Sequence, residues 1–292
     1  MARVKTIGVL TSGGDAPGMN AAIRAVTRAG ICNGFNIKGI YRGYDGLING
    51  EIEDFTTENV SGIIMSGGTI LKTARSKEFM TDEGKEKAYQ QMQAHGIDAL
   101  VVIGGNGSLT GAMEFAKKFD VCCIGLPGTI DNDLAYTEMT LGYETAVQVC
   151  TEAIRAIRAT SRSHDRPHVV ECMGRHCGDI ALKAACATGS EIVVVPEVPW
   201  SVEEVASRLN KQIAKGNYRS TIVLAEGCWE SMAPFDMYGF LTSHGKQCFE
   251  GRTHERHAVC LHHEADVRHG GSAFDGCRLH PARRAAGCQG QR

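Results

Sequence analysis

The chain lacks several features that would place it in a particular class of protein. Its 31 basic and 33 acidic residues give a formal net charge of -2, which provides no electrostatic argument for binding nucleic acid or an anionic membrane. No apolar run approaches the roughly 20 residues that span a bilayer, and the N-terminal residues enter a predicted strand without the apolar segment of a signal peptide. These absences favour a cytoplasmic protein.

A dinucleotide-binding turn is also missing, because no GxGxxG run is followed about 20 residues later by an acidic residue suited to a ribose. A plain Rossmann dehydrogenase is therefore disfavoured. Cysteine, by contrast, is abundant, at 12 residues. Most of the first seven cysteines lie in apolar runs, where a reduced thiol behaves as a small hydrophobic residue, so no disulfide framework is predicted.

Two short apolar runs between residues 100 and 133 each end in a polar, glycine-rich corner. Residues 100–103 are followed by GGNGS at 104–108 and then by a helix predicted to begin near residue 109. Residues 121–126 have the same buried-strand pattern and are followed by PGTIDND at 127–133. Because parallel strands end at one edge of a sheet, the two corners are predicted to lie side by side.

The composition of these corners favours phosphate chemistry. Consecutive glycines let backbone N–H groups converge, and a helix N-terminus adds partial positive charge. Thr129, Asp131 and Asp133 follow the second strand, where loops present catalytic groups. A phosphate cradle beside carboxylates indicates phosphoryl transfer. A further glycine turn at residues 11–20 fits a phosphate site and an ordinary strand-to-helix connection equally well.

Strands and helices alternate as far as residue 225, which predicts an α/β fold with parallel sheets covered on both faces. At 292 residues, two lobes are expected. Residues 42–50, RGYDGLING, are predicted to be a loop, and residues 57–65 a short helix. After residue 227 the amphipathic periodicity is lost, so residues 228–292 are predicted to be an atypical tail, either poorly ordered or out of frame.

Five motifs occur in a characteristic order along the chain: TSGGDAPGMNAAIRA, GGTILKTAR, VVIGGNGS, PGTIDND and MGRHCGD. With them, residues 3–227 resemble the bacterial ATP-dependent 6-phosphofructokinases. The resemblance implies a two-lobed, parallel-sheet sandwich whose C-terminal part is truncated or out of frame. Residues 1–138 would form the main part of the ATP lobe and 139–227 part of the fructose 6-phosphate lobe. It also implies a homotetramer that catalyses the committed step of glycolysis.

Family positions map onto this chain residue by residue. Asp131 would take the proton from the sugar 1-hydroxyl, since a carboxylate with the ordinary pKa of about 3.9 is ionised at neutral pH. The other catalytic positions would be Thr129, Arg75 and Arg175. MgATP would be held by Gly14, Arg75, Ser76, Gly105, Asn106, Gly107 and Ser108, with Asn106 at the metal.

Two further sets follow from the same resemblance. The sugar phosphate would be bound by Thr129, Ile130, Asp131, Arg166, Met173, Gly174, Arg175 and Glu226. Arg166 would be supplied across a subunit interface, whereas from the residue alone a surface charge is the simpler interpretation. An ADP-type effector would be bound by Arg24, Arg28, Arg158, Glu191 and Lys215. Thr57 stands where a family arginine is common, which weakens the expectation of allosteric control.

Three positions bear on the phosphoryl donor. Relatives that use pyrophosphate typically carry an aspartate in place of Gly107 and a lysine in place of Gly128, so the small residues here favour ATP. Asn106 replaces an aspartate that helps hold Mg²⁺. Its amide oxygen can still coordinate, so weaker use of Mg²⁺ is expected, and a pyrophosphate-dependent or mixed-donor enzyme remains an alternative.

The tail supports a second alternative. Beyond Glu226 the family has an arginine and a basic block that complete the sugar-phosphate pocket, and residues 228–292 show no convincing match to it except RHGGSAFD at 268–275. A frameshift near residues 227–250 explains the change in character. The alternative is a catalytically impaired nucleotide-binding subunit that acts with an intact partner.

Overall fold

The structure is a computed structural model, and it describes residues 4–228. The described part of the chain divides into two compact units, the first ending at Ala146 and the second beginning at Val147. Within residues 4–228, no helix combines the length and the apolar character needed to cross a membrane. The predicted atypical tail lies outside the described residues.

A six-stranded sheet forms the centre of the first unit, with the strand order β3-β2-β1-β4-β5-β6. All neighbouring strands are parallel except β2 and β3. The strands are β1 (Thr6–Ser12), β2 (Asn36–Ile40), β3 (Ile52–Phe55), β4 (Ala99–Gly104), β5 (Cys122–Thr129) and β6 (Leu141–Gly142).

Helices cover the two faces of this sheet. They are α1 (Met19–Cys32), α2 (Gly43–Asn49), α3 (Asp82–Ala94) and α4 (Asn106–Phe119), with short 3-10 helices at Ile63–Met65 and Glu78–Met80. Along β4, Leu100 and Val102 pack in one core with Phe115, whereas Val101 and Ile103 pack in the other core. β4 is therefore buried on both faces, as its continuous apolar run predicts.

The second unit contains a smaller parallel sheet with the strand order β7-β9-β8. Its elements are most of α5 (Tyr143–His164), β7 (His168–Cys172), α6 (Asp179–Thr188), β8 (Ile192–Val194), α7 (Val202–Ala214) and β9 (Thr221–Ala225). The start of α7 follows directly from the sequence, because Ser201 Oγ accepts a hydrogen bond of 3.1 Å from the N–H of Glu204.

Three local predictions are wrong. Residues 42–50 are not a loop, since they form α2, which buries Tyr44, Leu47 and Ile48. Residues 57–65 are helical only at Ile63–Met65. β5 is not a fully buried strand like β4, because its outer neighbour β6 has two residues and Ile124 is 57% exposed.

Candidate phosphate-binding and catalytic site

The first candidate region lies at the point in the six-stranded sheet where the strand order reverses. β1 is hydrogen-bonded to β2 on one side and to β4 on the other, so the chain leaves the ends of β1 and β4 toward opposite edges of the sheet. Ser12 at the end of β1 pairs with Gly104 at the end of β4. In open α/β sheets, ligands bind in the crevice at such a point.

Two glycines bring the ends of these strands close together. A Cβ on Gly104 would lie 2.5 Å from the carbonyl oxygen of Ser12, so this position requires glycine. Gly13 has a φ of 90°, in the region that favours glycine, and a Cβ there would lie 3.2 Å from Ser108 Oγ. The glycine turn, residues 12–14, therefore lies directly against the first turn of α4.

At two other positions, packing among the described residues does not explain why the residue is glycine. A Cβ on Gly14 or on Gly107 would meet no atom of residues 4–228 within 4 Å, and neither residue has a positive φ. Both are exposed, Gly14 in the glycine turn and Gly107 in the first turn of α4. The space in front of them suits a group that approaches bare backbone N–H donors at a helix N-terminus, such as a phosphate.

The helix itself begins earlier than predicted. α4 starts at Asn106 rather than near residue 109, so Asn106, Gly107 and Ser108 belong to its first turn instead of to a preceding loop. Tyr44, buried in α2, donates a hydrogen bond of 2.6 Å to the Ser108 carbonyl. Burial raises the pKa of Tyr44 far above its usual value, so the phenol stays a neutral donor and fixes this turn.

The second polar corner lies beside the first, at the end of β5. A Cβ on Gly105 would lie 3.5 Å from Thr129 Cβ. Asp131, which is half-buried, donates its N–H to Thr129 Oγ1 at 3.2 Å. The two corners are therefore adjacent, as the parallel order of β4 and β5 led us to expect.

Thr140 holds the Asp131 loop from the other side. Its hydroxyl donates to the Thr129 carbonyl at 2.6 Å, and its N–H donates to Asn132 Oδ1 at 3.1 Å. Asn132 has a φ of 54°, which asparagine tolerates better than most residues. Sequence reasoning missed Thr140, because nothing next to it in the sequence marks it as a partner of Thr129.

Arg75 lies in a segment without helix or strand, residues 66–76, which we call the arginine segment. Its side chain is exposed and forms no salt bridge with the described residues. Ser76 Oγ accepts a hydrogen bond of 3.1 Å from the N–H of Phe79 and so begins the following 3-10 helix. The guanidinium of Arg75 is consequently available to an anionic ligand.

The predicted sugar-phosphate residues of the second unit form a cluster after β7. Glu226 Oε1 accepts a hydrogen bond of 2.5 Å from the N–H of Arg175. Gly174 has a φ of 144°, and a Cβ there would clash with the Cys177 carbonyl oxygen. Met173 and Arg175 are exposed, so Glu226 fixes the backbone while these side chains face outward.

Arg166 is held through its backbone at the end of α5. Its carbonyl accepts a hydrogen bond from Ser161 Oγ and lies 3.1 Å from Nδ1 of His168. Ser161 and His168 are both buried. The half-buried side chain of Arg166 thus extends from a firmly held backbone.

Among the predicted effector residues, three already have intramolecular partners. Arg24 Nη1 donates to the Val60 carbonyl at 2.6 Å. Arg158 donates to both carboxylate oxygens of Glu191, at 3.0 and 3.2 Å. Burial opposes ionisation of Glu191, but hydrogen bonds from Arg158 and from the backbone of Thr221 lower its pKa overall. Arg28 and Lys215 are exposed.

Asn106 is suited to a magnesium ion that is held chiefly by phosphate oxygens. It is exposed in the first turn of α4, and its Oδ1 accepts a long hydrogen bond of 3.5 Å from Thr110 Oγ1. Mg²⁺ prefers oxygen ligands and keeps several waters, so one amide oxygen fits such a role. Within residues 4–228, no group of three or more His, Cys, Asp or Glu side chains could hold a metal by itself.

Comparison with known proteins identifies the family. The model of the phosphofructokinase family matches residues 6–273. The chain belongs to the phosphofructokinase family. It is 57% identical over 226 residues to ATP-dependent 6-phosphofructokinase 2 of Bacteroides thetaiotaomicron, covering 77% of this chain and 69% of that protein. It is 51% identical over 224 residues to an ATP-dependent 6-phosphofructokinase of Thermoanaerobacter sp., covering 77% of this chain and 70% of that protein.

A solved structure supports the same fold. Phosphofructokinase from Saccharomyces cerevisiae superposes with a TM-score of 0.73 at 41% identity, covering 76% of this chain and 34% of that one. The predicted family, the α/β fold with parallel sheets and the phosphofructokinase enzyme class are confirmed. The roles assigned to individual residues remain predictions.

Proposed function

We propose that this chain transfers the γ-phosphoryl group of ATP to the 1-hydroxyl of fructose 6-phosphate. The proximity of Gly105 to Thr129 carries the proposal, because it places a glycine-rich helix N-terminus beside the loop of Asp131. The donor would lie against Gly14 and Gly107, which leave open space, and the acceptor would lie at Asp131. The names of the bacterial relatives support ATP as the donor.

In this reaction, the sugar oxygen forms a bond to the γ-phosphorus as the bond from that phosphorus to the ADP oxygen breaks. The proton of the 1-hydroxyl passes to the Asp131 carboxylate. Phosphoryl transfer needs mainly positioning and charge stabilisation, because its transition state is loose. Backbone N–H groups of the first turn of α4 and the guanidinium of Arg75 would supply that stabilisation.

The reaction is tested by comparing donors. We expect ATP to support phosphorylation of fructose 6-phosphate at least about a hundredfold faster than pyrophosphate, because Gly107 leaves space where a pyrophosphate-dependent relative has a carboxylate. Formation of fructose 1,6-bisphosphate by the purified chain would be followed in a coupled assay with each donor. Equal rates, or a preference for pyrophosphate, would contradict the proposal.

Mg²⁺ would bind with the ATP phosphates, and Asn106 would contribute an amide oxygen. When bound, the ion would neutralise charge on the transferred group. We expect Asn106→Asp to lower the Mg²⁺ concentration that gives half-maximal rate by about tenfold, since a carboxylate attracts the ion more strongly than an amide does. Asn106→Ala serves as the comparison and should raise that concentration. An unchanged Mg²⁺ dependence in both variants would exclude Asn106 as a ligand.

The sugar-phosphate and assembly assignments extend this proposal. Arg175 and Arg166 would neutralise the 6-phosphate, with Met173, Gly174 and Glu226 shaping the loop that presents Arg175. Fructose 6-phosphate and ATP would be the substrates of a cytoplasmic homotetramer, with Arg166 crossing a subunit interface. Effector binding by Arg158 would require its bond to Glu191 to be shared or exchanged, which favours weak allosteric control.

A further inference from the structure

The arginine segment belongs to no helix or strand, so its position depends on side chains together with a backbone hydrogen bond of 2.8 Å from the N–H of Arg42 to the Leu71 carbonyl. Asn20, 2% exposed in α1, donates to the carbonyl of Ser66 at 2.9 Å and accepts from the N–H of Ile70 at 2.8 Å. Leu71 is completely buried in the core beneath the segment. The first half of the segment is therefore attached to α1.

A second attachment lies at Lys72. Thr11, completely buried in β1, donates its hydroxyl to the Lys72 carbonyl at 2.8 Å and lies 3.0 Å from the hydroxyl of Thr69. Lys72 has a φ of 58°, a left-handed conformation that lysine rarely adopts. This conformation redirects the chain immediately before Thr73.

Thr73 makes the last attachment before the arginine. Its hydroxyl donates to the carbonyl of Gly13 at 2.6 Å. Gly13 is also the residue on which a Cβ would lie 3.2 Å from Ser108 Oγ in the first turn of α4. Between Thr73 and the next anchored residue, Ser76, lie only Ala74 and Arg75. One hydroxyl thus connects the arginine to the glycine turn.

We infer that Thr73 is a positioning residue for phosphoryl transfer, acting through Arg75 by fixing the arginine segment to the glycine turn. The inference rests on the proposed function, which places the donor phosphates at that turn. Asn20 and Thr11 hold the earlier part of the segment without Thr73. Loss of the Thr73 bond should therefore loosen Ala74 and Arg75 specifically, rather than unfold the segment.

The test compares Thr73→Val, which removes the hydroxyl and keeps the branched shape, with Thr73→Ser, which keeps the hydroxyl. We expect Thr73→Val to lower kcat/KM for ATP by about tenfold, the loss typical of one hydrogen bond, and Thr73→Ser to stay within about threefold of wild type. In an Arg75→Ala background, Thr73→Val should have no further effect. A purely structural threonine would instead lower activity equally in both backgrounds.

Thr188→Val is a matched control, because Thr188 is a half-buried threonine of α6 whose hydroxyl donates to the Ala184 carbonyl at 2.8 Å. Thr188→Val should lower the free energy of unfolding, measured in urea, by an amount similar to that for Thr73→Val. It should leave kcat/KM unchanged. Amide hydrogen exchange provides a readout that needs no turnover: Thr73→Val should speed exchange at residues 13–14 and 74–76.

These measurements separate the two proposals. An inactive wild-type chain would refute the proposed function, whereas the exchange comparison would still decide the role of Thr73. An active wild-type chain with unchanged kcat/KM in Thr73→Val would overturn the inference. So would additive losses with Arg75→Ala, or unchanged exchange at residues 13–14 and 74–76.

Discussion

Replacing Asp131 with asparagine is expected to lower kcat by about a thousandfold while leaving the affinity for ATP within about twofold of wild type. The substitution keeps the shape of the side chain and removes its ability to accept a proton. Hydrogen bonds with Thr129 and Thr140 hold the backbone of the loop, which should therefore stay in place. Steady-state kinetics and ATP titration would measure the two quantities.

Asp54→Asn is the control for loss of one negative charge. Asp54 is an exposed residue of β3 that pairs with Lys38 at 2.6 Å, remote in sequence from the glycine corners. It should leave kcat unchanged, because surface ion pairs of this kind contribute little. A kcat within about tenfold of wild type in Asp131→Asn would contradict the role of Asp131 as the base.

Gly107→Asp is expected to raise the KM for ATP by about a hundredfold, because a carboxylate would repel the phosphates from the first turn of α4. The fold should tolerate the change, since in the described part of the chain no neighbouring atom lies within 4 Å of the position that a Cβ would occupy. Stability should even rise by about 1 kcal/mol, because an acidic residue replaces glycine at a helix N-terminus. The free energy of unfolding measured in urea should therefore show a gain in stability, whereas the higher KM should show a loss in the use of ATP.

Two glycine variants provide controls for this result. Gly107→Ala should also stabilise the helix, but with a smaller effect on ATP because it adds no charge. Gly104→Ala should instead reduce stability, since its Cβ would lie 2.5 Å from the Ser12 carbonyl oxygen. If Gly107→Asp kept the wild-type KM for ATP, the donor would not lie against this turn.

Some elements could be predicted because local chemistry decides them. The capping serine Ser201 and the apolar run of β4 each contain their own cause, and the run predicted at residues 100–103 lies within that strand. Residues 42–50 show the limit of such reasoning. Their three glycines suggest a loop, yet burial of Tyr44 and Leu47 stabilises a helix there.

The order of the motifs also indicated the family, which the comparisons confirm. Within the candidate site, the glycines and Asp131 could be picked out because their residue types suit phosphate and proton transfer. Thr73 and Thr140 could not, because each acts through a partner distant in sequence, Gly13 and Thr129. The sequence around a threonine does not show which carbonyl its hydroxyl will bind.

By itself, then, the sequence determined the two glycine-rich corners, the carboxylate that follows β5 and the family to which they belong. Only the tertiary structure decided which glycines the chain needs for its own packing, as at Gly104, and which leave space for a ligand, as at Gly14 and Gly107. The physical reason is that glycine looks the same in both cases. Whether a glycine is required for packing or leaves room for a ligand depends on the atoms that surround the position of a Cβ. Those atoms are placed by strands that pair across distant parts of the chain.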